Sequence, residues 1–266
     1  MKKQLQIANG ISFICMVFLN YVSNIGLLNN TTIGEVSKTY NTLFTPAGYA
    51  FSIWGIIYLM VLGFIIYQGR SLFVKVRDDD FILKTGWWFV VSCIANCLWI
   101  VAWIYEYTLL SSIFIFILLF ALLQIVIKNK MELEDKPISV IVFLWWPFVF
   151  YSGWITVASI ANVSAVLVKY NWDGFGLSPT FWTLLLIGIA TAINLVVTWK
   201  RNMREFALVG AWALVAIYVA NSNENMAVEY TALGSAILLV ISSLYHGYIN
   251  RATNPFVKLK EYFDGR

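Results

Sequence analysis

The sequence predicts an all-α protein: a polytopic membrane helix bundle with eight transmembrane helices and both the N and C termini inside. Hydrophobic residues make up 60% of the chain and charged residues only 12%, and the mean hydropathy is +0.75. Soluble domains average about 25% charged residues, so the composition is that of a membrane protein. Several apolar runs reach the roughly 20 residues that a helix needs to cross a hydrocarbon core. Because these runs are continuous and do not alternate, they exclude a transmembrane β-barrel.

The positions of the basic residues predict the orientation of the chain in the membrane. All but two of the 18 Lys and Arg residues lie at the chain ends or in every second connection between apolar segments. The two exceptions are Lys38 and Lys169. Cytoplasmic loops of membrane proteins are enriched in Lys and Arg, so this alternation predicts both the number of spans and the side of the termini. Bacterial-style loop charges of this kind indicate a plasma (inner) membrane with cytoplasmic termini.

The spans follow one another with short connections that leave no room for a soluble domain. The first segment opens with Lys2 and Lys3, as a signal peptide does, but it is long and lacks a small-x-small cleavage pattern, so it is expected to stay as a span. The polar loop 28–46 ends at Pro46, which suits the first turn of a helix. A tight turn near Tyr107 and Thr108 predicts an antiparallel hairpin of spans three and four. The eight segments are 5–27, 47–68, 86–105, 108–127, 138–164, 180–199, 206–221 and 228–249.

Charged side chains are missing from the middle of the predicted spans, which argues against ion-coupled transport. The deepest acidic residues, Glu106 and Glu229, fall near the outer interface, and the acidic run Asp78 to Asp80 is interpreted as solvated. The single His246 has no neighbouring histidine or carboxylate in the sequence, so no catalytic or metal-binding residues are predicted and the protein is not expected to be an enzyme. The net charge of +4 is explained by topology, so no nucleic-acid partner is expected. The lipid bilayer is the evident partner.

Aromatic and amide side chains form stripes on three of the predicted helices. Polar amides in lipid are costly unless paired, so Asn96 and Asn162 should face the bundle interior and bring neighbouring tryptophans inward with them. Such an interior suits a flat, apolar ligand with polar edges. The same residues could instead simply pack helix against helix, and the pattern alone leaves both interpretations open. The stripes are Trp54 and Tyr58; Asn96, Trp99 and Trp103; and Tyr151, Trp154, Ala158 and Asn162.

Three of these stretches resemble the motifs of the TspO/MBR family, the tryptophan-rich sensory proteins and translocator proteins. Residues 46–58, PAGYAFSIWGIIY, are similar to the second-helix signature of that family. Residues 96–103, NCLWIVAW, resemble its third-helix motif, and residues 151–162, YSGWITVASIAN, its fifth-helix motif. Members of the core family have five spans, whereas three more spans follow here. The resemblance therefore implies a five-helix unit over residues 1–170 and three additional helices with a short basic tail over residues 171–266.

The resemblance also implies a function, a lid and a set of site residues. It implies a membrane receptor or sensor that binds a planar hydrophobic ligand, such as a porphyrin-like tetrapyrrole or a sterol, between spans two, three and five. Loop 28–46 would close over this pocket, no cofactor is implied beyond a porphyrin-type ligand, and a homodimer is the implied assembly. The alternatives are a transporter or exporter of small hydrophobic molecules and an enzyme acting on a bound tetrapyrrole. The expected pocket residues are Phe51, Trp54, Tyr58, Asn96, Trp99, Trp103, Tyr151, Trp154, Ala158 and Asn162.

Overall fold

A computed structural model describes residues 1–76, 79–250 and 255–263, and within these ranges the chain is helical with no β-strand. Each of the eight predicted apolar segments coincides with one long helix. The helices in chain order are α1 (Lys2–Asn24), α2 (Ile33–Thr39), α3 (Ile53–Gly69), α4 (Phe81–Thr85), α5 (Trp88–Ile104), α6 (Thr108–Lys128), α7 (Ile138–Val140), α8 (Trp146–Lys169), α9 (Pro179–Arg201), α10 (Arg204–Ala220), α11 (Met226–Ile249) and α12 (Pro255–Phe263).

Six helical stretches in the described ranges are long and apolar enough to cross a membrane. The other two long helices, α5 and α10, have 17 residues each. At 1.5 Å per residue such a helix is about 25 Å long, slightly short of a hydrocarbon core of roughly 30 Å. The fold is therefore that of an integral membrane helix bundle, while eight full crossings stay a prediction. The six stretches are Lys2–Asn24, Gly48–Leu72, Thr108–Lys128, Ile138–Lys169, Pro179–Arg201 and Met226–Ile249.

Local sequence explains the helix boundaries and irregularities. A capping box starts α2: the Thr32 hydroxyl accepts from the Glu35 backbone N–H, and the Glu35 carboxylate accepts from the Thr32 N–H at 2.7 Å. A π-helical segment, Ile141–Trp145, joins α7 to α8 just before Pro147. Because proline has no backbone N–H, Pro147 cannot donate the hydrogen bond of a regular α-helix, which accounts for the wider π-helical turn before it. Asn202 ends α9 in the left-handed conformation, so α10 turns back sharply.

Helix α8 is the centre of the bundle. It packs against α3 and α6 on one side and against α9 and α10 on the other. A Cβ added to Gly153 of α8 would lie 3.1 Å from the Phe206 carbonyl oxygen of α10, so the missing side chain permits the close approach of the two backbones. The end of the bundle that carries α2 is called the lid end. The opposite end, which carries Lys128 and Lys130, is called the basic end.

Helix α10 also binds the segment that leads into α3. The Ala47 N–H donates to the Ala216 carbonyl at 3.0 Å, and the Trp212 indole N–H donates to the Ala50 carbonyl at 3.3 Å. The Asn221 amide donates to the Leu43 carbonyl at 2.9 Å. Residues 43–50, although within the first 170 residues of the chain, are therefore held by a helix from the last three.

Some of the residues used in the sequence analysis are not described by the structure. Arg77, Asp78, Arg251 and Arg266 lie outside the described residues. Of the acidic run, Asp79 forms an ion pair with Lys2 at 2.6 Å, and this neighbour lowers the pKa of the Asp79 carboxyl. The run is thus partly ion-paired with the start of α1 rather than simply solvated.

Candidate functional site

Trp54 of α3 lies at the centre of an aromatic cluster. Its ring stacks on Tyr58 one turn further along α3, with centroids 5.3 Å apart and an interplanar angle of 25°. The edges of Tyr151 and Trp154 on α8 meet it at 5.6 and 6.3 Å. Trp99 of α5 lies 6.2 Å away. Three helices therefore meet through one ring.

The cluster continues toward the lid end. Trp99 stacks on Trp103 one turn later at 6.4 Å and 20°, and Phe51 approaches Trp154 edge-on at 6.1 Å. Offset and edge-to-face ring pairs of this kind contribute about 0.5–1.5 kcal/mol each beyond the area they bury. The rings thus stabilise one another in this conformation and leave little free space between them.

The two amides of the predicted site are buried and hydrogen-bonded. Asn96 accepts from the Asn20 amide of α1 at 2.8 Å and donates to the Tyr151 hydroxyl at 3.0 Å, so it joins α1, α5 and α8. The Asn162 oxygen accepts from the hydroxyls of Ser111 and Ser112 on α6, at 3.1 and 2.7 Å. Both amides face the interior, as expected. Asn20, which completes this pairing, was not among the predicted site residues.

A cavity of about 50 Å³ lies between the rings and α2. Three of the predicted residues do not line it. Tyr58 and Tyr151 lie deeper against Trp54, and Asn96 lies behind Tyr151. The remaining predicted residues line it together with Ile33, Ser37 and Tyr40 of the lid region: they are Phe51, Trp54, Trp99, Trp103, Trp154, Ala158 and Asn162.

A wider vestibule of about 630 Å³ adjoins this cavity at the lid end, since both spaces are lined by Ile33, Phe51 and Trp54. Its rim is polar and includes Lys38 of α2 and Glu224 of the α10–α11 loop. The vestibule is therefore bounded partly by the last three helices. It joins an aromatic interior to a rim with charges of both signs.

Helix α2 and its flanking loop, residues 28–46, are called the lid segment, and several hydrogen bonds hold it down. The Trp103 indole N–H donates to the Ile33 carbonyl at 3.1 Å, and the Asn29 amide donates to the Ile104 carbonyl at 3.1 Å. The Tyr40 hydroxyl donates to the Glu106 carboxylate at 2.6 Å, and this bond to a carboxylate raises the pKa of Tyr40 to about 12. The lid segment is closed over the cavity in this conformation.

Three buried donors in the aromatic cluster have no acceptor among the described residues. They are the Tyr58 hydroxyl and the indole N–H groups of Trp99 and Trp154. A buried donor without a partner costs about 1–3 kcal/mol, and most such groups in native proteins are satisfied. An ordered water or a bound molecule with acceptor atoms would satisfy these three donors.

The helical bundle, its apolar spans and this aromatic interior define an integral membrane protein with a candidate ligand pocket. The family model for TSPO-like proteins matches residues 6–245, and the chain belongs to that family. The match extends through most of α11, so the family model includes the last three long helices as well as the first five. No curated protein and no solved structure matches the chain.

Proposed function

We propose that the protein is a membrane receptor of the sensor type, which binds a planar hydrophobic ligand between α3, α5 and α8 and beneath α2. The observation that carries this proposal is the set of three unpartnered buried donors, on Tyr58, Trp99 and Trp154, within a cluster of aromatic rings. Rings offer contact area to a flat molecule, and the donors offer direction to its hydroxyl, carbonyl, carboxylate or ring-nitrogen acceptors. A porphyrin-like tetrapyrrole or a sterol-like molecule has this combination.

Binding of such a molecule requires a conformational change. Ligand pockets are usually about 300–1,000 Å³, whereas the closed cavity measures about 50 Å³. The lid segment would have to lift and the rings around Trp54 to separate, and the vestibule of about 630 Å³ is the natural entrance. In thermodynamic terms the ligand would shift the population from the closed toward an open state.

The test is a titration of the purified protein in detergent with protoporphyrin IX, followed by quenching of tryptophan fluorescence. The double variant Trp99→Phe/Trp154→Phe keeps the rings but loses both donors. At about 0.5–1.5 kcal/mol per hydrogen bond, the dissociation constant should rise about 5- to 150-fold. The matched control is Trp87→Phe/Trp199→Phe, which removes two tryptophans at the basic end and should bind as the wild type does.

The outcome is decided by the difference between the two double variants. Saturable quenching that is weakened only in Trp99→Phe/Trp154→Phe supports the site. Equal affinity in all three proteins would place the ligand elsewhere. Absence of saturable quenching in a folded sample would remove tetrapyrroles and leave sterol-like molecules as the ligand class.

The same samples distinguish the alternatives to a receptor. A transporter or exporter would release ligand into the interior of proteoliposomes, and an enzyme would convert the bound tetrapyrrole to a product at a rate that depends on the cluster tryptophans. Both the cavity and the vestibule lie at the lid end, which favours binding from one side. We therefore propose binding rather than transport, and the product assay decides between binding and turnover.

The proposed orientation places the basic end, with both termini, in the cytoplasm of a cell with a plasma (inner) membrane. The support is the charge asymmetry: Lys38 and Lys169 are the only basic residues in the loops of the lid end. The vestibule would then open to the outside.

A further inference from the structure

A second cavity, of about 80 Å³, lies at the basic end, on the far side of the bundle from the lid segment. The α6–α7 loop folds there against the end of α9, the start of α10 and the end of α11. Each of these elements contributes a polar or charged side chain to the lining. The polar lining includes Glu132 from the loop, Asn202 between α9 and α10, Arg204 at the start of α10, and His246 and Asn250 from the end of α11.

Four charged side chains in the lining of this cavity or next to it each have one buried polar atom without a hydrogen-bond partner among the described residues. Arg204 is only 7% exposed, yet its Nε has no hydrogen-bond partner among the described residues. The same holds for one carboxylate oxygen each of Glu132 and Glu205 and for one terminal nitrogen of Arg201. Unpaired donors and unpaired acceptors thus occur side by side, a combination that water satisfies because it both donates and accepts. A water needs only about 10–15 Å³, so the cavity has room for several.

The charges around Glu132 divide into paired and unpaired groups. In its own loop, Glu134 forms ion pairs with Lys130 and Lys136, and Asp135 pairs with Lys258 of α12. His246 of α11 packs edge-on against Trp199 of α9, with centroids 5.1 Å apart. Among the described residues, no ion pair is formed by the carboxylates of Glu132 and Glu205 or by the guanidinium groups of Arg204 of α10 and Arg201 of α9.

Burial decides which of these groups changes charge. Removal from water and the nearby Glu205 carboxylate both raise the pKa of the Glu132 carboxyl, the Arg204 guanidinium partly opposes them, and the resulting pKa is about 8. The charges that act on Glu132 are those of Glu205 and Arg204, so a proton on Glu132 leaves one carboxylate and one guanidinium, which balance each other. Without that proton, two carboxylates and one guanidinium lie close together in a region that is largely removed from bulk water, which is unfavourable.

We propose that Glu132, together with Glu205 and Arg204, forms a hydrated proton-binding site at the basic end of the bundle. The proton comes from the aqueous phase next to the α6–α7 loop and returns to it, through the waters of the cavity. The site is separate from the aromatic cluster, so it does not depend on the identity of the ligand.

The folded protein then holds a proton that the unfolded chain releases between the ordinary glutamate pKa of 4.5 and about 8. Because the folded state binds more protons in this window, stability is greatest below it and falls as the pH rises through it. The thermal unfolding midpoint of the wild type should therefore decrease with pH across this window. In Glu132→Gln, which imitates the protonated side chain, this decrease should disappear.

Infrared titration of the purified protein tests the site directly through the carboxylic-acid C=O band. The wild type should keep one such band until the pH approaches about 8, and Glu132→Gln should lack it. The matched control is Glu134→Gln, a carboxyl in the same loop whose pKa is lowered by Lys136 and Lys130, and it should keep the band and the pH slope. A wild-type band that titrates in the ordinary carboxyl range, or one that persists in Glu132→Gln, would overturn the proposal.

Discussion

Opening of the lid segment can be perturbed through one hydroxyl group. Tyr40 at the end of α2 donates to the Glu106 carboxylate at 2.6 Å, and Lys169 from the end of α8 donates to the Glu106 backbone carbonyl and lies 5.5 Å from the centre of the Tyr40 ring. Tyr40→Phe keeps the ring and its cation–π contact but removes the hydrogen bond. The lid segment should therefore open more often without any loss of packing.

The size of the effect follows from the type of bond. Hydrogen bonds to charged groups contribute about 1.5–3 kcal/mol, and partial exposure at this surface reduces the value, so about 1–2 kcal/mol is expected. This corresponds to a 5- to 30-fold increase in the open population. Native-state hydrogen exchange measures this population directly, because amides in a locally opening segment exchange through that opening.

The expected result is a 5- to 30-fold faster exchange of the amides of residues 33–40 in Tyr40→Phe, with the amides of α5 and α6 unchanged. Tyr107→Phe, which removes a hydroxyl from an exposed tyrosine in the neighbouring α5–α6 turn, is the control and should exchange as the wild type does. Wild-type exchange rates in Tyr40→Phe would show that this bond does not hold the lid. Faster exchange throughout α5 would show that the substitution destabilises the whole bundle instead.

Two further substitutions test the packing that supports the site. In Gly210→Ala the new Cβ would lie 2.5 Å from the Asn194 side chain. The free energy of unfolding in detergent should therefore fall by about 1–3 kcal/mol. Adding Asn194→Ala to the same chain removes the clash and should restore most of this stability. Absence of rescue would place the strain elsewhere. In Asn96→Leu the hydrogen bonds to Asn20 and Tyr151 are lost. Because hydrogen bonds between membrane helices average about 0.6 kcal/mol each, the free energy of unfolding should fall by about 1 kcal/mol, as measured from denaturant midpoints. An unchanged midpoint would mean that the amide makes no net contribution.

The long helices could be predicted from sequence because their signals are local. Continuous apolar runs between polar turns are sufficient to locate a membrane helix, and each predicted segment coincides with one. Helix α2 was missed, although Thr32 and Glu35 have the spacing of a capping box and would have indicated a helix start inside the polar loop. The π-helical turn before Pro147 had only the proline as a signal.

The grouping of the candidate site residues on each helix could be predicted from sequence, because it also depends on local spacing. Residues that share a helix face, such as Trp99 and Trp103, can be grouped from their spacing alone. Contacts between distant segments have no local signal: the bond from Asn20 to Asn96 spans 76 residues, and the bond from Tyr40 to Glu106 spans 66. The environment of Glu132 has no local signal either, because the Glu205 and Arg204 charges that act on it lie far along the chain.

The bonds from α10 to residues 43–50 have a consequence for how the protein can be taken apart. A fragment that ends near residue 170 would keep all the aromatic rings of the cluster. It would leave the Ala47 amide and the Ala50 and Leu43 carbonyls without partners and would expose the face of α8 that Phe206 and Val209 cover. The first five and the last three long helices are thus expected to melt together, as one cooperative unit rather than as two separable modules.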